Sequence, residues 1–352
     1  MQRRKTKVIK VGNVFIGGNF PISIQSMTNT ITQNINQTIA QIRELTFAGC
    51  EIIRVAVPDM ESAKAIKTIK KEISIPLIAD IHFDYKLAIE SINSDVDGLR
   101  INPGNIGSFQ NVLKVVDAAR DKKIPIRIGV NSGSLSKEKI QKYGVTATAI
   151  VESALEHVVL LEKANYPEMK ISVKASSVPL TIESYRLLSK KVNYPLHLGI
   201  TEAGTEFTGT IKSAMGIGAL LAEGIGDTIR VSLTAEPVKE IYVAREILKA
   251  LNLRKGLNII SCPTCGRAEI DLISITKKVE EELKEFSNLD ITVAIMGCVV
   301  NGPGEAREAD FGIAGGKGEG LLFKKGKILK KVPEKILVEE LISLIKKNAV
   351  KK

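Results

Sequence analysis

The sequence has no tryptophan and only fifteen other aromatic residues, six tyrosines and nine phenylalanines, in 352 positions. Proteins that hold nucleic acid by stacking lean on such side chains, so no nucleic-acid partner is expected. No run of about 18 apolar residues occurs, so a membrane-spanning helix is not expected either. The basic opening Met1-Gln2-Arg3-Arg4-Lys5 has no apolar core behind it before Gly12 and does not read as a signal peptide. Four cysteines are too few to staple a chain of this length. A reducing, cytoplasmic location is the simplest expectation.

What is present is ordinary globular composition with a surplus of eleven positive charges. The surplus is spread along the chain, and lysines alternate with glutamates, as in Lys277-Lys278-Val279-Glu280-Glu281-Glu282. That patterning suits solvated helix faces together with an anion site rather than one basic stripe.

An opening hairpin is expected at residues 7–10 and 14–16 around Gly12-Asn13. Eight short β-branched runs follow, at residues 23–27, 52–57, 76–80, 98–102, 125–130, 170–174, 195–200 and 228–232. Amphipathic stretches separate them, for instance residues 38–47, 60–73, 109–120, 147–164 and 237–251, with apolar residues at helical spacing. Eight β–α alternations in this length predict an α/β protein whose residues 1–252 form a (β/α)8 TIM-type barrel. A doubly wound sheet is the rival, but the loop after the first run contains no glycine-rich fingerprint. From residue 253 the rhythm changes. Residues 253–352 predict a small α+β domain, with strands at 257–261 and 291–296, helices at 269–286 and 334–346, and short strands between.

Side chains at the C-terminal ends of barrel strands point into the active site. Arg54, Arg100, Arg127, Lys174 and Arg230 stand inside or at the ends of five apolar runs, beside the neutral groups Asn102, Asn105, Asn131 and Ser232. One such cation is commonly a structural ion pair. Five converging on one mouth with few acids imply an anionic ligand, and guanidinium forks suit phosphate oxygens. Glu202, after the seventh run, could donate a proton or simply pair with an arginine. Asp80 and His82, ending the third run, could orient a ligand or a proton.

Cys262-Pro263-Thr264-Cys265 and, 32 residues further on, Cys298 place three thiols in a region without histidine. Structural zinc wants four Cys or His ligands in recognisable pairs. Three thiolates fit a [4Fe–4S] cluster lacking one cysteine, with Glu305 an oxygen donor in reach. Cys50, before the second run, reads as a small buried hydrophobe.

These residues, in Gly49-Cys50-Glu51-Ile52-Ile53-Arg54-Val55-Ala56-Val57-Pro58, Arg100-Ile101-Asn102-Pro103-Gly104-Asn105, Gly199-Ile200-Thr201-Glu202-Ala203-Gly204, Cys262-Pro263-Thr264-Cys265-Gly266-Arg267 and Asn301-Gly302-Pro303-Gly304-Glu305, resemble one family. The resemblance is to the 4-hydroxy-3-methylbut-2-enyl diphosphate synthases, reductive iron–sulfur enzymes of the non-mevalonate isoprenoid pathway, in their short two-domain bacterial form. It implies reductive opening of 2-C-methyl-D-erythritol 2,4-cyclodiphosphate at a [4Fe–4S] cluster held by Cys262, Cys265, Cys298 and Glu305. It implies substrate binding by Arg54, Arg100, Asn102, Arg127, Asn131, Lys174, Arg230 and Ser232, and acid–base roles for Glu202 with Asp80 and His82 nearby. It further implies a ferredoxin or flavodoxin as electron donor and a head-to-tail homodimer. The competing expectation is a barrel transferase for a phosphorylated pterin or sugar, with the cysteines structural.

Overall fold

The computed structural model describes residues 2–101, 106–286, 289–298 and 306–349. The chain divides into two compact units, Met1–Leu253 and Arg254–Lys352.

The first unit opens with the hairpin β1 (Ile9–Val11) and β2 (Val14–Ile16), turning at Gly12 with φ +56°. Eight parallel strands follow: β3 (Ser23–Met27), β4 (Ile52–Ala56), β5 (Leu77–Asp80), β6 (Gly98–Ile101), β7 (Ile126–Asn131), β8 (Met169–Lys174), β9 (His197–Leu198) and β10 (Thr228–Ile229). They pair in the order β8-β7-β6-β5-β4-β3-β10-β9, and a parallel bridge from Ile171 to Leu196 joins the two ends of the sheet. The helices α1 (Ile35–Ala48), α2 (Met60–Glu72), α3 (Tyr85–Asn93), α4 (Phe109–Lys122), α5 (Lys137–Tyr143), α6 (Ala147–Lys163), α7 (Val178–Lys191), α8 (Glu206–Ala222) and α9 (Pro237–Ala250) fill the crossovers. This is the expected (β/α)8 barrel.

Local chemistry sets the boundaries. In α2 the Asp59 carboxylate accepts the Ser62 N–H at 2.8 Å, Ala63, Ile66 and Ile69 form the buried stripe, and Lys70 and Lys71 end the helix where its dipole is negative. Nearly every strand residue is buried, since one face meets the helices and the other the lumen. Ile9, Val11 and Ile16 of the hairpin pack on Ile52 and Ile78 near the strand starts. That contact plugs the N-terminal end of the lumen with hydrocarbon and leaves the polar end for a ligand.

β9 and β10 are shorter than the runs at 195–200 and 228–232 suggested. The ladder stops at Gly199, where a Cβ would collide with Lys174 Nζ and would lie 2.6 Å from the Arg230 carbonyl. The backbone there gives way to a buried lysine.

The second unit is a five-stranded sheet in the order β11 (Asn258–Ser261), β12 (Thr292–Met296), β13 (Phe311–Gly316), β14 (Glu319–Lys324), β15 (Lys327–Pro333). The first three strands are parallel and the last three antiparallel. Helices α10 (Leu272–Glu282) and α11 (Leu337–Ala349) pack Leu272, Ile275, Val279, Leu341 and Ile345 with Val293, Ile295 and Ile313. α10 starts three residues later than its apolar pattern suggested, because Asp271 caps it by accepting the Ser274 N–H at 3.2 Å. No helix among the described residues is long and apolar enough to cross a membrane.

Candidate active site

At the polar end of the barrel, Arg54, Asp80, His82, Arg100, Arg127, Asn131 and Ser172 line a cavity of about 240 Å³. Strand register builds it: Asp80 lies opposite Arg100, and Arg100 opposite Arg127. Arg100 Nη1 donates to Asp80 Oδ1 at 3.0 Å and to His82 Nε2 at 3.0 Å, while Arg54 Nε stands 3.7 Å from Asp80 Oδ2. Burial raises the proton affinity of the Asp80 carboxyl, but Arg54, Arg100 and Arg127 outweigh it and hold the group well below the usual carboxylate range. Asp80 is therefore an anion that organises guanidinium groups, and half-exposed His82 rests on the same cluster. Gly129 leaves the space that Arg100 occupies, since a Cβ there would sit 2.9 Å from Arg100 Nε.

Two arginines share a soft partner. Arg54 donates to Met27 Sδ from Nε (3.2 Å) and Nη2 (3.0 Å), and Arg230 Nη1 lies 3.7 Å from the same sulfur. Arg230, one residue past β10, also stands 3.6 Å from Glu240 Oε2. Glu240 is a buried acid from the first turn of α9, fixed by Ser26 Oγ at 3.2 Å and the Leu233 N–H at 3.0 Å. Sequence reasoning missed it because helix packing, not strand position, brings it to the lumen. It also missed Lys170. The alternation of β8 puts Lys170, Ser172 and Lys174 on one face, and that period-2 signal was readable.

Arg127 Nη1 reaches Ser172 Oγ at 3.4 Å, and its Nε has no partner among the described residues. Lys174 is buried in the same wall, and desolvation with the neighbouring Arg127 depresses its proton affinity strongly. Ser232 is half-buried two residues beyond Arg230. Asn102 and Asn105 lie outside the described residues. Glu202 is exposed on a left-handed backbone (φ +52°) and makes no ion pair with another described residue. A non-glycine residue held there carries strain of about 1–3 kcal/mol, a frequent feature of functional positions.

The second unit gathers its thiols at the C-terminal edge of β11 and β12. Ser261 is in register with Ile295, so Cys262 and Cys298 leave neighbouring parallel strands on the same side. Cys262 Sγ accepts the Gly297 N–H at 3.1 Å, and the Glu269 N–H bonds the Gly297 carbonyl at 2.9 Å. The backbone N–H of Arg267, aided by its guanidinium, holds the exposed Cys265 thiol below its ordinary range. All three thiols are free. N–H donors aimed at sulfur and a thiolate-favouring field fit a cluster edge. Among the described residues no three His, Cys, Asp or Glu side chains surround a single ion position. A cubane does not require that, since each thiolate takes a different iron. Glu305, the candidate fourth donor, lies outside the described residues. Cys50 is buried in the barrel, its thiol pushed up to about 12 by burial, as a packing residue would be.

The pattern of the GcpE TIM-barrel domain matches residues 6–245, and that of the GcpE protein C-terminal domain matches residues 258–347. The 4-hydroxy-3-methylbut-2-en-1-yl diphosphate synthase (flavodoxin) of Clostridium perfringens (strain 13 / Type A) is 62% identical over 347 residues, 98% of this chain and 99% of that protein. The protein of the same name from Geobacter sulfurreducens is 59% identical over 352 residues, 99% of both chains. Among solved structures, a dihydropteroate synthase from Stenotrophomonas maltophilia aligns with TM-score 0.51 at 11% identity, covering 70% of this chain and 98% of its own, a likeness of fold alone. With both of its domains matched and relatives this similar along its length, the chain belongs to the GcpE family, the 4-hydroxy-3-methylbut-2-en-1-yl diphosphate synthases.

Proposed function

We propose that the protein reductively opens 2-C-methyl-D-erythritol 2,4-cyclodiphosphate to 4-hydroxy-3-methylbut-2-enyl diphosphate. One carbon–oxygen bond to the ring phosphate and one to a hydroxyl are lost, two electrons enter, and the departing oxygen leaves as water. The observation that carries this reading is the charge balance of the lumen: Arg54, Arg100, Arg127, Lys174 and Arg230 face only Asp80 and Glu240 among the described carboxylates. Both acids are already engaged by arginines, so the remaining positive charge calls for a multiply charged anion.

In the proposed arrangement the guanidinium groups of Arg54, Arg100 and Arg127 grip the diphosphate, with Asn131 and Ser232 as neutral donors and Lys174 and Arg230 completing the ring. Asp80 keeps Arg54 and Arg100 aimed at the cavity, and His82 steadies Arg100. Glu202, exposed and without an ion pair among the described residues, delivers a proton to the departing oxygen. Cys262, Cys265, Cys298 and Glu305 hold a [4Fe–4S] cluster. When bound, that group supplies single electrons and an iron without cysteine, open to an oxygen ligand. A flavodoxin is the proposed donor, since the relatives' names specify it, and a homodimer is the proposed assembly, checked by sedimentation.

The test is anaerobic reconstitution with iron and sulfide, followed by turnover of the cyclic diphosphate with reduced flavodoxin. Cluster-loaded protein that leaves the substrate unchanged overturns the reading. Glu202→Gln is expected to slow turnover by about 100-fold or more with binding intact. A normal rate removes Glu202 from the role of proton donor.

A further inference from the structure

Lys170 lies deeper on β8 than Ser172, which lines the cavity, and belongs to none of the roles above. It is 2% exposed, and its Nζ has no hydrogen-bond partner among the described residues. β7 places Arg127 beside it in register, Arg54 of β4 acts on it across the lumen, and Lys174 stands above it on the same strand. β9 contributes His197, fully buried with both ring nitrogens unpartnered. β3 and β10 contribute Gln25 and Thr228, which do not titrate and whose side-chain polar atoms are also unpartnered. Arg100, Asp80, Arg230 and Glu240 complete the charged groups of the lumen among the described residues, and both carboxylates are taken. The lumen thus holds a buried amine among cations, with no acid among the described residues free to pair with it.

Arginine does not release its proton in proteins, so the lysines and the imidazole must absorb the electrostatic strain. Burial and the charges of Arg127 and Arg54 press the Lys170 ammonium well below its ordinary range. An anion entering the cavity reverses the sign of the field that the amine feels.

We propose that Lys170 is a proton-linked positioning residue: docking of a diphosphate draws a proton onto its amine, and the resulting ammonium adds a positive charge beneath Arg127. This rests on the diphosphate reading and extends it. The protein then binds its anion together with a proton, and affinity falls by about tenfold per pH unit in the window between the titration of the free amine and that of the liganded amine, levelling off above it.

The experiment is calorimetric titration of the full chain with inorganic pyrophosphate, at one pH, in buffers of different ionisation enthalpy. Wild type and Lys170→Met are compared, so that protons gained or lost by pyrophosphate itself cancel in the difference. The expected result is about one proton fewer taken up per bound pyrophosphate in Lys170→Met, with a flatter dependence of affinity on pH. Lys170→Gln, which keeps a polar group, is expected to behave as Lys170→Met does. Pyrophosphate binding with equal proton uptake in wild type and both variants overturns the inference and leaves the diphosphate reading standing. Wild type that binds neither pyrophosphate nor the cyclic diphosphate overturns both.

Discussion

The barrel mouth and the cysteine edge solve opposite problems. In the mouth, cations are forced into a buried space by the strands that carry them, and Asp80 and Glu240 hold the arginines apart and aimed before any ligand arrives. At the edge of the second unit, the donors sit just beyond two strand ends, Cys265 is fully exposed, and the backbone contributes N–H groups rather than counter-charges. One site stores electrostatic work in its folded state, and the other, on the proposed reading, would be completed by an iron–sulfur cluster. The binding site should therefore survive damage to the cluster site, whereas the chemistry should not.

The sharpest way to break that comparison is Cys298→Ser. Iron and acid-labile sulfide are expected to fall well below wild type and turnover by more than about 100-fold, while pyrophosphate still binds. Loss of both properties together would show that the two regions are not independent. Arg127→Ala attacks the other side. Removing one partner from a buried charged contact costs about 3 kcal/mol, so KM should rise by about 100-fold with cluster content unchanged. An unaltered KM would remove Arg127 from the anion site.

The stored work in the lumen should also appear without any ligand. Lys170, Lys174 and His197 hold protons less tightly in the folded lumen than at their ordinary values of 10.5 and 6.5. Between the folded and unfolded values the unfolded chain binds more protons, so stability rises with pH. The thermal midpoint of the ligand-free chain should climb with pH up to about pH 9, each fully depressed lysine adding about 1.4 kcal/mol per pH unit. Above that, Cys50, protonated up to about 12 when folded, opposes the trend. Lys170→Met should be more stable at neutral pH and show a shallower climb. The smallest expected effect separates the cysteines by role: Cys50→Ala should cost about 1 kcal/mol and leave iron content unchanged, as calorimetry and iron analysis would report.

Much of the site was legible because it breaks local rules. An arginine inside Ile52-Ile53-Arg54-Val55 or Pro125-Ile126-Arg127-Ile128 cannot be an outward-facing strand residue without covering helices rejecting it, so it had to point into the lumen. Lys170 carried the same signal and was readable by alternation with Lys174. Glu240 carried none, because an acid in the first turn of a helix is favoured on any surface. Its burial against Ser26 and Arg230 follows from how α9 packs on β3, which no local pattern encodes. The sulfur of Met27 as partner for two arginines was equally invisible, since it depends on strands far apart in sequence sharing one wall.

The order of residues alone determined the alternation of strands and helices, the break near residue 253, and which side chains carry charge or thiol. These are one-dimensional properties, set by periodicity and by chemistry that travels with each residue. Only the closed barrel decided that, among the described residues, six basic side chains would share a lumen with two acids and Lys170 would be left without a partner, and that glycines at 129 and 199 would make room for charged neighbours. Those outcomes depend on distances across the ring and on desolvation. Both arise from how many elements close around a point, and neither is a property of any segment by itself.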